Sequence, residues 1–258
     1  MGRVTAVILD WAGTTVDHGS LAPVRTLQKL FAWRGMTVTE EEARRDMGIH
    51  KKDHIRALLG ATTGQPPDEA AVEDLFAAFI PMQMKCLAAY SAVIPGVAAT
   101  VDKLRARSVK IGSTTGYTRP MLNLLLATAA SQGYQPDCAL CPDDTGAGRP
   151  WPWMCYLNAI RLGTYPMRTM VKIGDTVSDI EEGSNAGMWT IGIARTGNMI
   201  GLTAEGFAAL PATEQAVRLD TAHRKLSGAG AHYVADAVAD CIPLVDAIEE
   251  RLEKGERP

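Results

Sequence analysis

Five short runs of β-branched and aliphatic residues, at 4–10, 109–115, 138–140, 169–175 and 189–194, punctuate the chain. At least one helical pattern separates each from the next. Parallel strands cannot be joined by a hairpin and need a crossover, usually a helix, so this alternation predicts a parallel sheet covered by helices on both faces. The expected fold is α/β, a doubly wound Rossmann-like parallel sheet. Ligands of such sheets bind at the carboxyl ends of the strands. Three of the runs finish there in Asp10, Thr115 and Asp175, so polar residues distant in sequence converge on one edge.

The first connection is abnormally long. About 95 residues separate the first run from the second, against the dozen or more of a simple crossover, which implies an inserted helical cap domain. The boundaries read as 1–18 and 96–258 for the core and 19–95 for the cap. Within the insert, Ser20 is placed to cap a helix that has Pro23 in its first turn, Val24, Leu27, Leu30 and Phe31 on one face, and Gly35 at its end. Thr39 and Glu42 have the spacing of a capping box. A helix is expected from 68 to about 90, kinked or split at Pro81. Pro95-Gly96 marks the return to the core. Helical patterns at 204–210 and 214–225 precede an edge strand at 232–235 and a last helix, and residues 249–258 read as a charged tail that frays.

Composition narrows the partners. With 26 basic and 29 acidic residues the net charge is -3, which recommends neither nucleic acid nor an anionic membrane and leaves a small molecule. No apolar run approaches the roughly 18 residues of a membrane span, and no leader pattern precedes the first apolar run. The five cysteines are odd in number and scattered, no disulfide framework, which points to a reducing cytoplasm. Cys138 and Cys141 have redox-motif spacing, but they flank an apolar run and are expected to be ordinary core residues.

The chemistry concentrates in four stretches. In residues 7–17 an aspartate, Asp10, ends a buried strand and is followed by a small-residue turn; alone, such an aspartate also serves as a turn or helix cap. In residues 172–179 a second strand ends in Asp175, with Asp179 four residues on where a helix begins. Clustered carboxylates at strand ends form a hard oxygen site suited to Mg2+, although helix capping would use the same residues. In residues 112–118 hydroxyls and backbone N-H groups at a strand-to-helix turn could cradle a phosphoryl oxygen. Gly148-Arg149-Pro150 adds a guanidinium able to grip such oxygens bidentately, if it is not a surface arginine. In this order the four stretches resemble the motifs of the haloacid dehalogenase superfamily over almost the whole chain. The resemblance implies that Asp10 attacks phosphorus, that Thr115 and Arg149 bind its oxygens, and that Asp10, the Ala12 backbone carbonyl and Asp175 hold Mg2+ with Asp179 behind them.

Ala12 departs from that pattern, because phosphatases of the superfamily usually place there an aspartate that protonates an oxygen leaving group. A lysine supplies the alternative. Residues 43–54 contain Met47-Gly48, Lys51 three residues after the glycine, and Asp53-His54. This segment resembles the lysine segment of the phosphonoacetaldehyde hydrolase family, and residues 13–17, 114–119 and 152–156 resemble the family too. Ser20 stands where a cysteine is expected to be tolerated. The family implies hydrolysis of a carbon-phosphorus bond, giving acetaldehyde and phosphate in 2-aminoethylphosphonate degradation, with Lys51 as a Schiff-base amine and a homodimer formed through cap helices. Lys51 must then lose its proton, with desolvation, Lys52, Arg45 and the metal as contributors. His54, on the same helical face, is a candidate proton shuttle. Met47, Gly48 and Tyr117 would line the pocket. Otherwise a lysine in such a charged helix is a solvated surface residue. A cap hinged near 15–20 and 92–97 would have to close to bring Lys51 to Asp10. The rival readings are a magnesium phosphatase or phosphomutase of the same superfamily, and an inactive module that only binds phosphorylated metabolites.

Overall fold

A computed structural model describes residues 2–258. Six strands, β1 (Ala6–Leu9), β2 (Lys110–Thr114), β3 (Cys138–Leu140), β4 (Met170–Gly174), β5 (Trp189–Ile193) and β6 (Tyr233–Ala235), form one sheet in the order β3-β2-β1-β4-β5-β6. Every pairing is parallel. The all-β1 burial of Ala6 to Leu9 explains its unbroken apolar sequence, since both faces of a parallel sheet are covered. The chain leaves β1 toward β2 and β3, then returns to β4 on the other side, so the strand order reverses at β1. Leu9 pairs with Ser113 of β2 and Ile173 of β4, so Asp10 emerges level with Thr114 and Gly174 at that switch point, with Thr115 and Asp175 one residue further on.

Four helices, α1 (Leu21–Trp33), α2 (Glu40–Arg45), α3 (Lys51–Thr63) and α4 (Glu69–Leu87), intervene between β1 and α5 (Val97–Ala106). They pack on one another, α1 and α3 both against α4. Leu27, Leu30, Phe31, Leu75 and Phe79 are buried among them, in an apolar cluster continuous with that of the sheet. The rest of the chain supplies α6 (Arg119–Ala130), α7 (Trp153–Leu162), α8 (Val177–Asn185), α9 (Ala204–Ala208), α10 (Ala212–Gly228) and α11 (Ile242–Glu253). Among the described residues no helix is long and apolar enough to cross a membrane. All five cysteines are free, with Cys138 and Cys141 buried.

Three local expectations need correction. Ser20 has a left-handed backbone, φ 50°, and its side chain caps nothing. The chain leaves the core through left-handed residues at Asp17, Gly19 and Ser20, so Ser20 lacks the extended geometry of an N-cap. Asp17 does the work instead: its two carboxylate oxygens accept from the Leu21 and Ala22 N-H groups at 3.0 and 2.9 Å. Pro81 does not split α4, because Val72, Leu75 and Phe79 before it and Gln83 and Leu87 after it are buried on one continuous packed face. The C-terminal tail is shorter than expected. Glu249 lies inside α11 and accepts from the Val4 N-H at 2.9 Å, leaving only residues 254–258 beyond the helix. The Thr39–Glu42 capping box is present as read.

Asp17→Ala should therefore destabilise the protein by about 1 kcal/mol, the usual cost of a lost cap, whereas Ser20→Ala should stay within about 0.5 kcal/mol of wild type. Urea unfolding of the two variants checks this, and a larger loss for Ser20→Ala would refute the assignment.

Candidate active site

Asp10 follows β1 and Asp175 follows β4; Asp179 projects from the first turn of α8, and all three offer carboxylate oxygens within 4.8 Å of one another. Each is buried. Burial, then the Asp179 charge, raises the Asp10 carboxyl above its ordinary range. Burial, then Asp10 and Asp179, raises Asp175 well above its own. Asp179 goes the other way: burial opposes ionisation, but Arg149 and Lys172 outweigh it and hold the carboxyl low. Two anions that disfavour each other across a dry gap, with only oxygen donors around them, fit a hard divalent cation. Thr14 Oγ1 and the Asn198 N-H fix the two Asp175 oxygens at 3.1 and 2.7 Å, so its orientation is set before any ion arrives.

Arg149 ties this cluster together. Its Nη2 donates to Asp10 Oδ1 at 2.7 Å and to the Thr114 carbonyl at 2.8 Å, its Nε donates to Glu182 Oε2 at 2.9 Å, and its Nη1 lies 3.0 Å from Asp179 Oδ1. The guanidinium is not the free fork the sequence suggested. Its donors are already committed, and the edge facing Asp10 is the part that reaches the pocket. Behind it Lys172, fully buried in β4, pairs with Asp179 at 2.6 Å and lies 3.4 Å from Glu182. Glu182 also accepts from Thr114 Oγ1 at 2.9 Å.

Sequence reasoning gave no role to Lys172, Glu182 or Thr114. A lysine inside an otherwise apolar central strand was the available signal, because such a residue must find buried partners. Glu182 sits three residues after Asp179, one turn on along the same face of α8.

The helical insertion closes the other side. Asp10, Ala12, Met47, Gly48, Lys51, Thr115, Tyr117 and Arg149 line one small pocket, together with Ser20, Pro23, Gly116 and Thr176. Gly48, at φ 98°, lets the α2–α3 connection lie so near Thr176 and Ser178 that a Cβ would overlap both hydroxyls. Its carbonyl accepts from Arg149 Nη1 at 3.3 Å, and the Met47 carbonyl accepts from Ser178 Oγ at 2.9 Å. Thr115 Oγ1 accepts from the Tyr117 N-H at 3.2 Å, which shapes the turn into α6.

Lys51 opens α3 and is buried, not solvated. Its Nζ lies 3.5 Å from Met47 Sδ and 5.6 Å from the centre of the Tyr117 ring. Burial pushes the ammonium down to about 8, with Asp10 opposing and Arg149 assisting. The contributors named from sequence are elsewhere: Arg45 is exposed, and Lys52 pairs with Glu73. His54 is fully buried but does not line the pocket, and neither ring nitrogen has a hydrogen-bond partner among the described residues. Burial and the nearby Lys51 charge hold its imidazole well below the ordinary range, hence neutral.

A parallel sheet with a helical insertion after its first strand, and an aspartate cluster at the switch point, defines a haloacid dehalogenase-like hydrolase. The sequence profile of that family matches residues 4–187. Over the full chain the similarity is closer. A phosphonoacetaldehyde hydrolase of Nitratidesulfovibrio vulgaris is 46% identical, covering 100% of this chain and 95% of its own length. One from Bacillus cytotoxicus is 42% identical over 96% of this chain and 98% of its own length. The crystal structure of a phosphonoacetaldehyde hydrolase-like protein from Oleispira antarctica superposes with a TM-score of 0.96 at 41% identity, covering 99% of this chain and 96% of that one. The chain belongs to the haloacid dehalogenase-like hydrolases and, within them, to the phosphonoacetaldehyde hydrolase family.

Replacing Lys172 by Met should cost about 3–5 kcal/mol, because it strands Asp179 and Glu182 in the interior against Arg149 alone. Urea unfolding measures it; a loss under about 1 kcal/mol would mean the network does not depend on Lys172.

Proposed function

We propose that the protein hydrolyses phosphonoacetaldehyde to acetaldehyde and phosphate, in 2-aminoethylphosphonate degradation, through a Schiff base on Lys51 and an aspartyl phosphate on Asp10. The observation that carries this reading is the desolvated Lys51 amine, lowered to about 8, in one pocket with Asp10. At that value about a tenth of the lysine is neutral at pH 7, enough to serve as a nucleophile. Residues 19–95 act as the cap that delivers it, and residues 1–18 with 96–258 form the core. Mg2+ is the ion that suits Asp10, the Ala12 carbonyl and Asp175, and when bound it neutralises charge as two anions approach.

In this mechanism the neutral Lys51 Nζ adds to the aldehyde carbon, and loss of water gives an iminium. Neutral His54, outside the pocket lining but near enough to Lys51 to feel its charge, is the buried proton acceptor assigned to this step, and it would have to reach Lys51 from behind. Asp10 attacks phosphorus, with Thr115 and the N-H groups of the turn into α6 placed for the phosphonate oxygens and Arg149 Nη2 aiming the attacking carboxylate through its bond to Asp10 Oδ1. The carbon-phosphorus bonding pair moves into the iminium, giving a neutral enamine. Protonation at carbon and hydrolysis release acetaldehyde and free Lys51, and water cleaves the aspartyl phosphate. Because the electrons leave into nitrogen, no acid is needed at Ala12. Met47 and Tyr117 exclude water from the imine, and the narrow pocket favours a two-carbon aldehyde.

Borohydride treatment with phosphonoacetaldehyde should leave an adduct on the peptide containing Lys51, and Lys51→Arg should abolish both adduct and phosphate release. Wild-type kcat/KM should rise with pH up to about 8 and then level, since the amine must be neutral. Turnover of simple phosphate esters without any adduct would instead favour a phosphatase.

Five free cysteines suit a reducing cytoplasm. A homodimer also belongs to this proposal, but α7 is a better face for it than the cap helices. Trp151, Trp153, Ile160 and Tyr165 are exposed together on and around α7, whereas the cap exposes only Trp33 among the large apolar side chains. Ile160→Asp should shift the sedimenting species toward the monomer; an unchanged dimer would exclude this face.

A further inference from the structure

We infer that Arg44 is a positioning residue that latches the cap shut, by gripping the loop at 196–202 that also fixes Asp175. The side chain leaves α2 and is mostly buried, at 12% exposed, although neighbouring Arg45 is solvated. Its Nη1 donates to the Gly19 carbonyl at 2.9 Å and to the Asn198 Oδ1 at 3.1 Å and carbonyl at 3.3 Å. Its Nη2 donates to the Gly201 carbonyl at 3.1 Å. Asn198 Nδ2 returns a bond to the Arg44 carbonyl at 3.1 Å. Glu40, one turn back, accepts from Arg44 Nε at 2.9 Å and aims the fork.

One guanidinium thus joins three parts of the molecule: the first cap helices, the linker at Gly19 where the chain leaves the core, and the loop after β5. That loop also grips the linker directly, since the Gly19 N-H donates to the Thr196 carbonyl at 2.7 Å. Its Asn198 N-H holds Asp175 Oδ2 at 2.7 Å. Lys51 begins α3 seven residues after Arg44, with Met47 and Gly48 already docked on Ser178 and Arg149. The latch therefore sits beside the segment that carries the amine, and its core end rests on a candidate metal ligand.

Outside α2 the acceptors are carbonyls and an amide, while Glu40, the one carboxylate partner, is exposed and keeps its water, which decides what loss of the arginine does. Without it they stay unpaired while the crevice is shut and regain water only if the cap opens. The closed form becomes a smaller fraction of the free protein, and apparent affinity falls by that fraction. Saturating substrate still draws the cap closed. A residue that merely stabilised the fold would lower the amount of active protein without changing KM.

This inference rests on the proposed lysine mechanism for its kinetic readout but not for its structural one. In Arg44→Met the KM for phosphonoacetaldehyde should rise about tenfold with kcat within about twofold, and Arg44→Lys should fall between, having no planar fork. Asn198→Ala, which keeps its backbone N-H, should raise KM similarly, and the double variant should be no worse than the Arg44 single. Independently, backbone amides at 17–20 and 196–202 should exchange hydrogen at least about tenfold faster in Arg44→Met, with β1 and β4 unchanged. Unchanged exchange, unchanged KM or additive losses would overturn the latch. Absence of wild-type turnover would overturn the function while leaving exchange to judge the latch.

Discussion

The site is organised by a shortage of solvent around charge. Asp10, Asp175, Asp179 and Glu182 are all taken out of water at one end of the sheet, and Arg149 and Lys172 are the fixed cations buried among them. An isolated buried carboxylate costs far more than a protein domain can tolerate, so these side chains persist only as a set. The set has an internal gradient. Asp179 and Glu182 touch both cations, whereas Asp10 touches only Arg149 and Asp175 touches neither. Of the two carboxylates short of compensation, Asp10 lines the pocket and Asp175 lies buried beside it, where a divalent ion shared between them would complete the balance. Held by one arginine edge, the Asp10 carboxylate is fixed in direction without being neutralised, as the attack proposed for it requires.

Lys51 applies the same physics to the opposite sign. An ammonium loses hydration when it enters the closed pocket and gives up its proton more readily, so burial is itself the activation. Asp10 works against this by attracting the charged form, and Arg149 partly offsets Asp10. If residues 19–95 move as the proposed cap, the balance depends on their being closed, because opening would rehydrate Lys51 and return it toward an ordinary lysine. Closure is thus tied to chemistry through solvation as well as distance, and the carbonyl contacts of Gly48 and Met47 are part of the amine's environment.

Local features carried the legible part of the sequence. Strands ending in Asp10, Thr115 and Asp175 are visible because a parallel sheet converts strand ends into one edge, and the long first connection announces an insertion without any knowledge of its packing. What could not be read was pairing. Lys172 and Glu182 were visible as residues, but their roles depend on which buried charges lie opposite across the sheet and α8. Arg149 was read as a cation for oxygen, and its commitment to three carboxylates emerges only in three dimensions. Ser20 illustrates a further limit: by residue type it is a good cap, yet the left-handed path out of the core gives the task to Asp17 three residues earlier.

Ala12 gains meaning from this arrangement. An aspartate there would add another anion beside Asp10 and Asp175, whose carboxyls are already raised by burial and mutual repulsion. It would also attract the Lys51 ammonium and oppose the loss of its proton. An uncharged residue at 12 and a desolvated lysine in the cap are therefore two parts of one electrostatic solution. On the proposed mechanism, the chain gives up an acid for an oxygen leaving group and in exchange keeps an amine whose iminium can accept the electrons of a carbon-phosphorus bond.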